Sequence, residues 1–551
     1  MILRARAFIA LAIGALTLLA AANCGFATSP AWPALGRAYQ QQRAFDKAIA
    51  AYRHALELDP GAPRILYSLG STYAAKGDAD EAFRWLTRAR DSRRYDMTEM
   101  TVDDDLKGLR ADPRFADLLP RPEAFDNPFV EPVKIIREWR AESAEDQFGW
   151  IARNLGDVDG DGIPDVVTSA PTHGEAGSNA GRVYVYSTGT GKLLWTADGR
   201  PGDQLGTGIE GAGDTNRDGI PDVVASGPAA SGVAYIYSGR DGRVLQRFTP
   251  GNAQEAFGTH VSGAGDVDHD GYADVIVGAP GKEGEEKIPG RAYIYSGKDG
   301  SLLRTLEGER NGDEFGSAVA GYSDGKQQFL VVGAPRAGIR RHGRVYIYAG
   351  TSGPPKFVIE ADRSAAALGA MFVSVPGDMD GDGVSEIYAS DWSNSAKGRS
   401  TGRIYVHSGR SGRRLLTLTG ETPGEGFGTS PSVAGDVDGD GRMDLIVGAW
   451  QYGKVAISAG RAYLYSGRTG TLLRTYTSRI AGDTCGFDAV GLGDVDGDGS
   501  ADLLIACAWS AVRGHHSGRV FVISSGVPGV TVRPLSSRSF APASRHAVRY
   551  W

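Results

Sequence analysis

Residues 435–450 read GDVDGDGRMDLIVGAW. Aspartates stand at 436, 438, 440 and 444, glycines lie between them, and the chain then turns apolar. Close relatives of this phrase begin at 156, 213, 265, 377 and 493. Three carboxylates at alternate positions of a tight loop converge on one point. Glycine at the sixth position permits the sharp turn, the seventh residue offers a backbone carbonyl, and the ninth returns another acid. Oxygen donors in that number suit Ca2+, which takes six to eight at about 2.3–2.6 Å; Mg2+ demands stricter octahedral geometry. Zn2+ wants His or Cys, and neither stands at a ligand position of these loops.

One acidic turn would be ordinary. Six in the same register are not, because carboxylates this close repel unless a cation lies between them. The expected ligand sets, carbonyl donor included, are Asp157, Asp159, Asp161, Ile163 and Asp165; Asp214, Asn216, Asp218, Ile220 and Asp222; Asp266, Asp268, Asp270, Tyr272 and Asp274. The remaining three are Asp378, Asp380, Asp382, Val384 and Glu386; Asp436, Asp438, Asp440, Arg442 and Asp444; and Asp494, Asp496, Asp498, Ser500 and Asp502. About six calcium ions are therefore expected, the Asn216 site being the weaker for its missing charge. An EF-hand would place Glu at the twelfth position, where this chain has Thr168, Ala225, Val277, Ala389, Val447 and Ile505. Those are strand residues, so the loop joins two strands.

The loops belong to a larger repeat of 52 to 59 residues. Its units open at Phe148-Gly149, Leu205-Gly206, Phe257-Gly258, Phe315-Gly316, Leu368-Gly369, Phe427-Gly428 and Cys485-Gly486. After each acidic loop come an apolar run ending in Gly-Ala-Pro or a variant, a longer loop, and a strand such as GRAYLYSG with alternating side chains. A hairpin turn and a last strand complete the unit. The fourth unit, GYSDGKQQFLVVGAP at 321–335, keeps only Asp324, so no ion is expected there. Four short strands per unit, seven times over, predict a β-propeller. With 78 glycines in 551 residues and 41% hydrophobic content, an all-β ring full of turns is affordable.

Upstream the period is shorter. WPALGRAY at 32–39 returns as LYSLGSTY at 66–73, 34 residues on, and Ala48, Tyr52 and Ala55 are answered by Ala82, Leu86 and Ala89. Apolar and small residues at three- and four-residue steps predict paired helices. Residues 103–119 read as a further helical pair capping the stack, and the proline-rich 120–132 as a stiff linker.

The helical units resemble tetratricopeptide repeats, and the later units, through AGAGDV, VIVGAP and the recurring Phe-Gly, resemble FG-GAP repeats of the integrin α-subunit propeller. The second resemblance implies a seven-bladed propeller, calcium in the acidic loops and adhesion-like recognition. The expected organisation is a signal peptide at 1–22, tetratricopeptide-like repeats at 29–119, a linker at 120–132, the propeller at 133–535 and a tail at 536–551. The segment VKIIREW, 133–139, resembles the strand that precedes Phe-Gly in the other units and is expected to close the ring in the last blade.

Arg4 and Arg6, the apolar run 7–22 and Ala20-Ala21-Ala22 read as an export signal. Soluble export, with an extracellular, periplasmic or envelope location, and lipid anchoring at Cys24 are both open; no later apolar run is long enough to span a bilayer. Cys485 and Cys507 are either a disulfide or two buried thiols. No basic block for nucleic acid is present, and the formal net charge is −7. His515 and His516 read either as an exposed loop pair or as a metal contact. Nothing else resembles a catalytic constellation. The function expected is a non-catalytic calcium-binding module for a protein or glycan ligand, held by the variable loops after the Gly-Ala-Pro runs, Arg340, Arg341, Lys397 and Arg399 among them. A structural envelope component and a calcium-dependent polysaccharide lyase or hydrolase are the alternatives.

Overall fold

The computed structural model describes residues 31–229, 232–251, 255–281, 288–430 and 433–527. The signal peptide, Cys24 and the tail lie outside the described residues, as does most of the loop at 281–290. The described chain forms two compact units that part between Asn127 and Pro128.

In the first unit, helices Ala31–Gln41 and Phe45–Leu58 form one hairpin, and Pro63–Lys76 and Ala79–Asp91 a second. The repeated glycines mark where helices touch. A Cβ on Gly36 would stand 2.4 Å from the Tyr52 ring, and one on Gly70 2.6 Å from Leu86. Left-handed Gly77 ends the third helix, and the Asp78 carboxylate caps the fourth by accepting from Glu81 N–H at 3.2 Å. The expected helical pair at 103–119 is shorter than a repeat hairpin. Its first member, Asp104–Leu109, is a 3-10 helix, and its second spans only Pro113–Leu118. Gly108 weakens helix propagation and Pro113 removes a donor, so neither piece lengthens.

The second unit is a ring of seven antiparallel sheets. In blade one the strands are Ala152–Gly156, Asp165–Ala170, Arg182–Tyr186 and Leu193–Asp198, hydrogen-bonded in chain order. Blades two to five repeat this order; blade six has three strands among the described residues. Blade seven takes Asp488–Gly493, Asp502–Cys507 and Arg519–Ser524 from the end of the chain and Ile135–Arg140 from before blade one, with Trp139 opposite Val520. This strand closes the ring and pairs what would otherwise be the outer edge of Arg519–Ser524.

Burial explains the sequence pattern. First strands meet each other around the centre. Second strands, such as Asp165–Ala170 and Asp274–Ala279, are buried at every residue because blades cover both faces. That is why they read as unbroken apolar runs. Fourth strands form the rim, where Leu193, Val244, Leu302 and Leu472 are exposed.

Neighbouring blades are stitched by backbone. Phe315, Leu368, Phe427 and Cys485 form parallel bridges to Gly290, Gly343, Gly402 and Gly460 of the blade before, and Phe148 does so to Gly518 of blade seven. At Gly518, φ is +94° and a Cβ would stand 2.1 Å from Phe148 O, so only glycine fits. The aromatic ring turns inward: Phe148 meets Tyr184, and Phe427 meets Tyr463, edge to face. In unit seven a buried disulfide, Cys485–Cys507, replaces this contact.

The expected linker is structured at both ends. Pro122–Phe125 is a 3-10 turn. Phe129 bridges Ser478, Val130 N–H donates to Thr477 O at 2.8 Å, and the Glu131 carboxylate accepts from Thr475 and Thr477. Residues 128–132 therefore run along the outer strand of blade six.

Two buried charges and a half-buried one join first strands across the closure. Arg153 of blade one donates to Glu210 of blade two at 2.7 Å and to Asp488 of blade seven. Burial, against the pull of Arg153, pushes Asp488 up to about 6.

Two outcomes test closure. A chain beginning at Pro128 is expected to give a single cooperative melt, and one beginning at Gln147, lacking Ile135–Arg140, to melt lower and aggregate; equal behaviour would refute the closing role. Arg153→Met strands two carboxylates and is expected to lower stability in urea by about 3–5 kcal/mol. A loss below about 1 kcal/mol would show the network to be idle.

Candidate functional site

In each blade, antiparallel order places the first–second and third–fourth connections on one edge of the ring. The acidic loops therefore share an edge with the YSGRDG-type hairpins. Each loop closes on its own carboxylates. The first-position Asp accepts from the sixth-position glycine N–H: Asp157 from Gly162 at 2.9 Å, Asp214 from Gly219 at 2.9 Å and Asp436 from Gly441 at 3.0 Å. Asp266, Asp378 and Asp494 do the same with Gly271, Gly383 and Gly499. The fifth-position Asp accepts from the seventh N–H: Asp161 from Ile163, Asp218 from Ile220, Asp270 from Tyr272, Asp382 from Val384, Asp440 from Arg442 and Asp498 from Ser500.

The ninth-position acid is fully buried and ties the loop to the blade. One oxygen accepts the second-position amide, as Asp165 does from Val158 N–H at 2.9 Å and Asp444 from Val437 N–H at 2.8 Å. In four loops the other oxygen accepts an amide from the hairpin, at Thr188, Gly239, Gly297 and Gly467. Burial raises these carboxyls, Asp222 and Asp444 to about 6, Asp165, Asp274 and Asp502 to about 7, and Glu386 to about 8.

In three of the loops carboxylates come together. Asp378, Asp380, Asp382 and Glu386 bring ligand oxygens within 4.8 Å of one another, as do Asp157, Asp159 and Asp165, and Asp266, Asp268 and Asp274. Glu386 Oε1, Asp436 Oδ1 and Asp502 Oδ1 are buried with no hydrogen-bond partner. An all-oxygen anionic donor set with orphaned buried oxygens fits a hard divalent cation. At 214–222, Asn216 turns its amide nitrogen toward Asp222 at 3.4 Å. At unit four, Asp324 instead caps its own turn, accepting from Lys326 and Gln327 N–H at 2.9 and 2.7 Å.

Two features escaped the sequence reading. A hairpin base pairs with the fifth-position acid: Arg240 with Asp218, Lys298 with Asp270 and Arg410 with Asp382. In blade seven, whose fourth strand comes from before blade one, Lys134 takes that place against Asp496 and Asp498 at 2.7 Å each. On the opposite edge, Trp392 and Trp450 stand where units one to four have the proline that ends the apolar run, and Trp509 lies one position further on in unit seven, after Ala508. All three are half-buried. Trp450 meets Trp509 at 5.1 Å and Phe487 at 5.5 Å, and Phe487 meets Trp150 at 4.7 Å. Of the loop bases, Arg341 and Lys397 donate to Gly312 O and Gly420 O.

The FG-GAP repeat model matches residues 148–186, 257–295 and 427–465, within blades one, three and six. Three of the seven blades thus carry the FG-GAP repeat. The TPR repeat model matches residues 36–77 of the helical unit. Integrin alpha-4 of Xenopus laevis is 30% identical over 258 residues, 42% of this chain and 24% of that protein. Integrin alpha-5 of Xenopus laevis is 30% identical over 186 residues, 30% of this chain and 18% of that protein. Phosphatidylinositol-glycan-specific phospholipase D of Rattus norvegicus is 29% identical over 234 residues, 34% of this chain and 27% of that protein. The chain thus spans about a quarter or less of these relatives' length. Among the described residues no helix is long and apolar enough to cross a membrane.

Proposed function

We propose that this chain is an exported, non-catalytic recognition module, stiffened by about six calcium ions, that holds a protein or glycan ligand on the edge opposite its acidic loops. The observation that carries the recognition half is the cluster of half-buried tryptophans on one edge of the ring: Trp450 packs against Trp509 and Phe487, and Trp392 holds the same repeat position as Trp450 in the blade before. A Cβ on Gly426, between two of them, would stand 2.8 Å from Trp450 and 3.9 Å from Trp392, so glycine keeps the gap open. Half-buried indole rings on a rigid scaffold offer large contact area at little entropic cost, and tryptophan is enriched at binding hot spots. The likeness to integrin α-subunits supports the same reading.

The calcium half rests on the six loops of one register, three of which bring carboxylate oxygens within 4.8 Å of one another. The seventh-position carbonyls of Ile163, Ile220, Tyr272, Val384, Arg442 and Ser500 complete the donor sets in this reading. Where a base stands beside the loop, Asp218, Asp270, Asp382 and Asp498 turn one oxygen to it and accept the seventh-position amide with the other, so the ion would share these carboxylates, as it would those of Asp161 and Asp440. Binding to the folded state alone adds about 2.7 kcal/mol per site at a hundredfold excess over Kd. Chelation is therefore expected to lower the melting temperature. Metal analysis should return close to six ions per chain, one fewer for Asp440→Ala and no change for Asp324→Ala. An unchanged melt after verified metal removal would end the calcium reading, and a seventh ion would reinstate the fourth unit.

For recognition, protein and glycan arrays are probed with and without calcium. Trp392→Ala with Trp450→Ala is expected to weaken a captured ligand at least about tenfold while calcium content and melting stay put. Retained affinity would move the ligand elsewhere. One observation favours catalysis, the similarity to a phospholipase D, so the same preparation is assayed on phosphatidylinositol-glycan; turnover would replace the non-catalytic reading.

A further inference from the structure

Between the closing strand and Phe148, residues 142–147 pass from blade seven to blade one, along a loop of each. Glu145 N–H donates to His515 O at 2.8 Å, Gln147 N–H to His516 O at 3.0 Å, and Thr172 Oγ1 to Glu145 O at 2.5 Å. The Glu145 backbone is thereby held on both sides. His515, only 8% exposed, points Nδ1 at Glu145 Oε1, 2.7 Å away. This corrects the reading of residues 515 and 516 as an exposed pair. The two imidazoles stack at 3.7 Å, and His516 stacks on Trp509 at 4.9 Å. One ligand atom from each of Glu145, His515 and His516 lies within 4.8 Å of the others.

A plain hydrogen-bonded His–Glu pair would account for His515 alone. The left-handed backbone at His516, φ +47°, is the repeat's own, shared by Asn179, Ser400 and Ser458. Blade seven is singular in the side chain it puts there. Neutral imidazole is the form that ligates metal.

We propose that Glu145, His515 and His516 form a binding site for a transition metal of the Zn2+ class, distinct from the acidic loops. Two imidazole nitrogens and a carboxylate oxygen are a donor set Zn2+ accepts, with a fourth position left for water or a ligand's own donor. Ligand atoms around such an ion sit roughly 3.3 Å apart for bonds of about 2.0–2.1 Å, so the 2.7 Å Glu145–His515 hydrogen bond would open slightly and be replaced. The ion would join residues 370 positions apart across the ring's seam. The superficially similar group Glu142, His173 and Glu175 differs in one respect: the Arg182 guanidinium already stands 2.6 Å from Glu175 and 3.2 Å from Glu142. The cation's place there is taken.

The test is a Co2+ titration of the full-length protein kept saturated with calcium, read by the visible absorption that nitrogen ligation gives Co2+, with Zn2+ as competitor. One equivalent with a visible band, displaced by Zn2+, is expected. His516→Ala should weaken binding at least about tenfold, and His173→Ala should leave it unchanged. Glu145→Gln, which keeps the side chain's size and a hydrogen bond to His515, should weaken binding as well and guards against a folding defect in the first variant. Absence of the band, or affinity that survives both His516→Ala and Glu145→Gln, would overturn the site.

Discussion

Seven sheets keep their places because the backbone at each unit's opening Phe-Gly lies flat on a glycine of the blade before. A contact between main chains tolerates no side chain, so it dictates glycine just ahead of the third strand at Gly290, Gly343, Gly402, Gly460 and Gly518. With the spacing between blades set this way, second strands are covered on both faces and first strands crowd the centre. There buried Arg153 and Asp488 meet half-buried Glu210. A buried ion pair is a poor source of net stability but a strict demand on geometry, since a lost partner leaves a bare charge. It stands where blades seven, one and two come together, and so guards the register of closure.

The acidic loops obey the same architecture. Their ninth-position acids are the first residues, or just before the first residues, of the second strands and are buried with them. In four loops both oxygens already accept amides, one from the loop and one from the neighbouring hairpin. A cation gathering the loop's remaining oxygens therefore pulls on a carboxylate wedged into the sheet. Loop, hairpin and strand respond together, which is how occupancy of a peripheral turn reaches the body of a blade.

Whatever repeats was legible in the chain. Phe-Gly, the acidic register and the alternating third strand recur seven or six times, and periodicity separates them from chance. What occurs once was not. Arg153 lies 57 residues from Glu210 and 335 from Asp488, and only the closed ring brings them together. Lys134 could be matched to Asp498 only by knowing that its strand serves as the fourth of blade seven. Two of the tryptophans were legible in principle, because aligning the units with one another shows proline giving way to Trp392 and Trp450, with Trp509 one position further on in its own unit. The disulfide was an open choice in the sequence, since two cysteines on neighbouring strands pack as thiols just as readily as they bond. At 103–119, helical composition was read correctly as helical, but Gly108 and Pro113 cut its length.

The closing strand also imposes an order in time. Glu138 and its neighbour Arg519 are separated by 381 positions, and at about 5–20 residues per second of synthesis the strand waits roughly 20–80 s for its partner to be made. Throughout that interval Ile135–Arg140 is a β-prone segment with nothing to pair with. Its own sequence, IIREWR, sets Arg137, Glu138 and Arg140 among the apolar residues, the kind of interspersed charge that discourages strands of different nascent chains from joining.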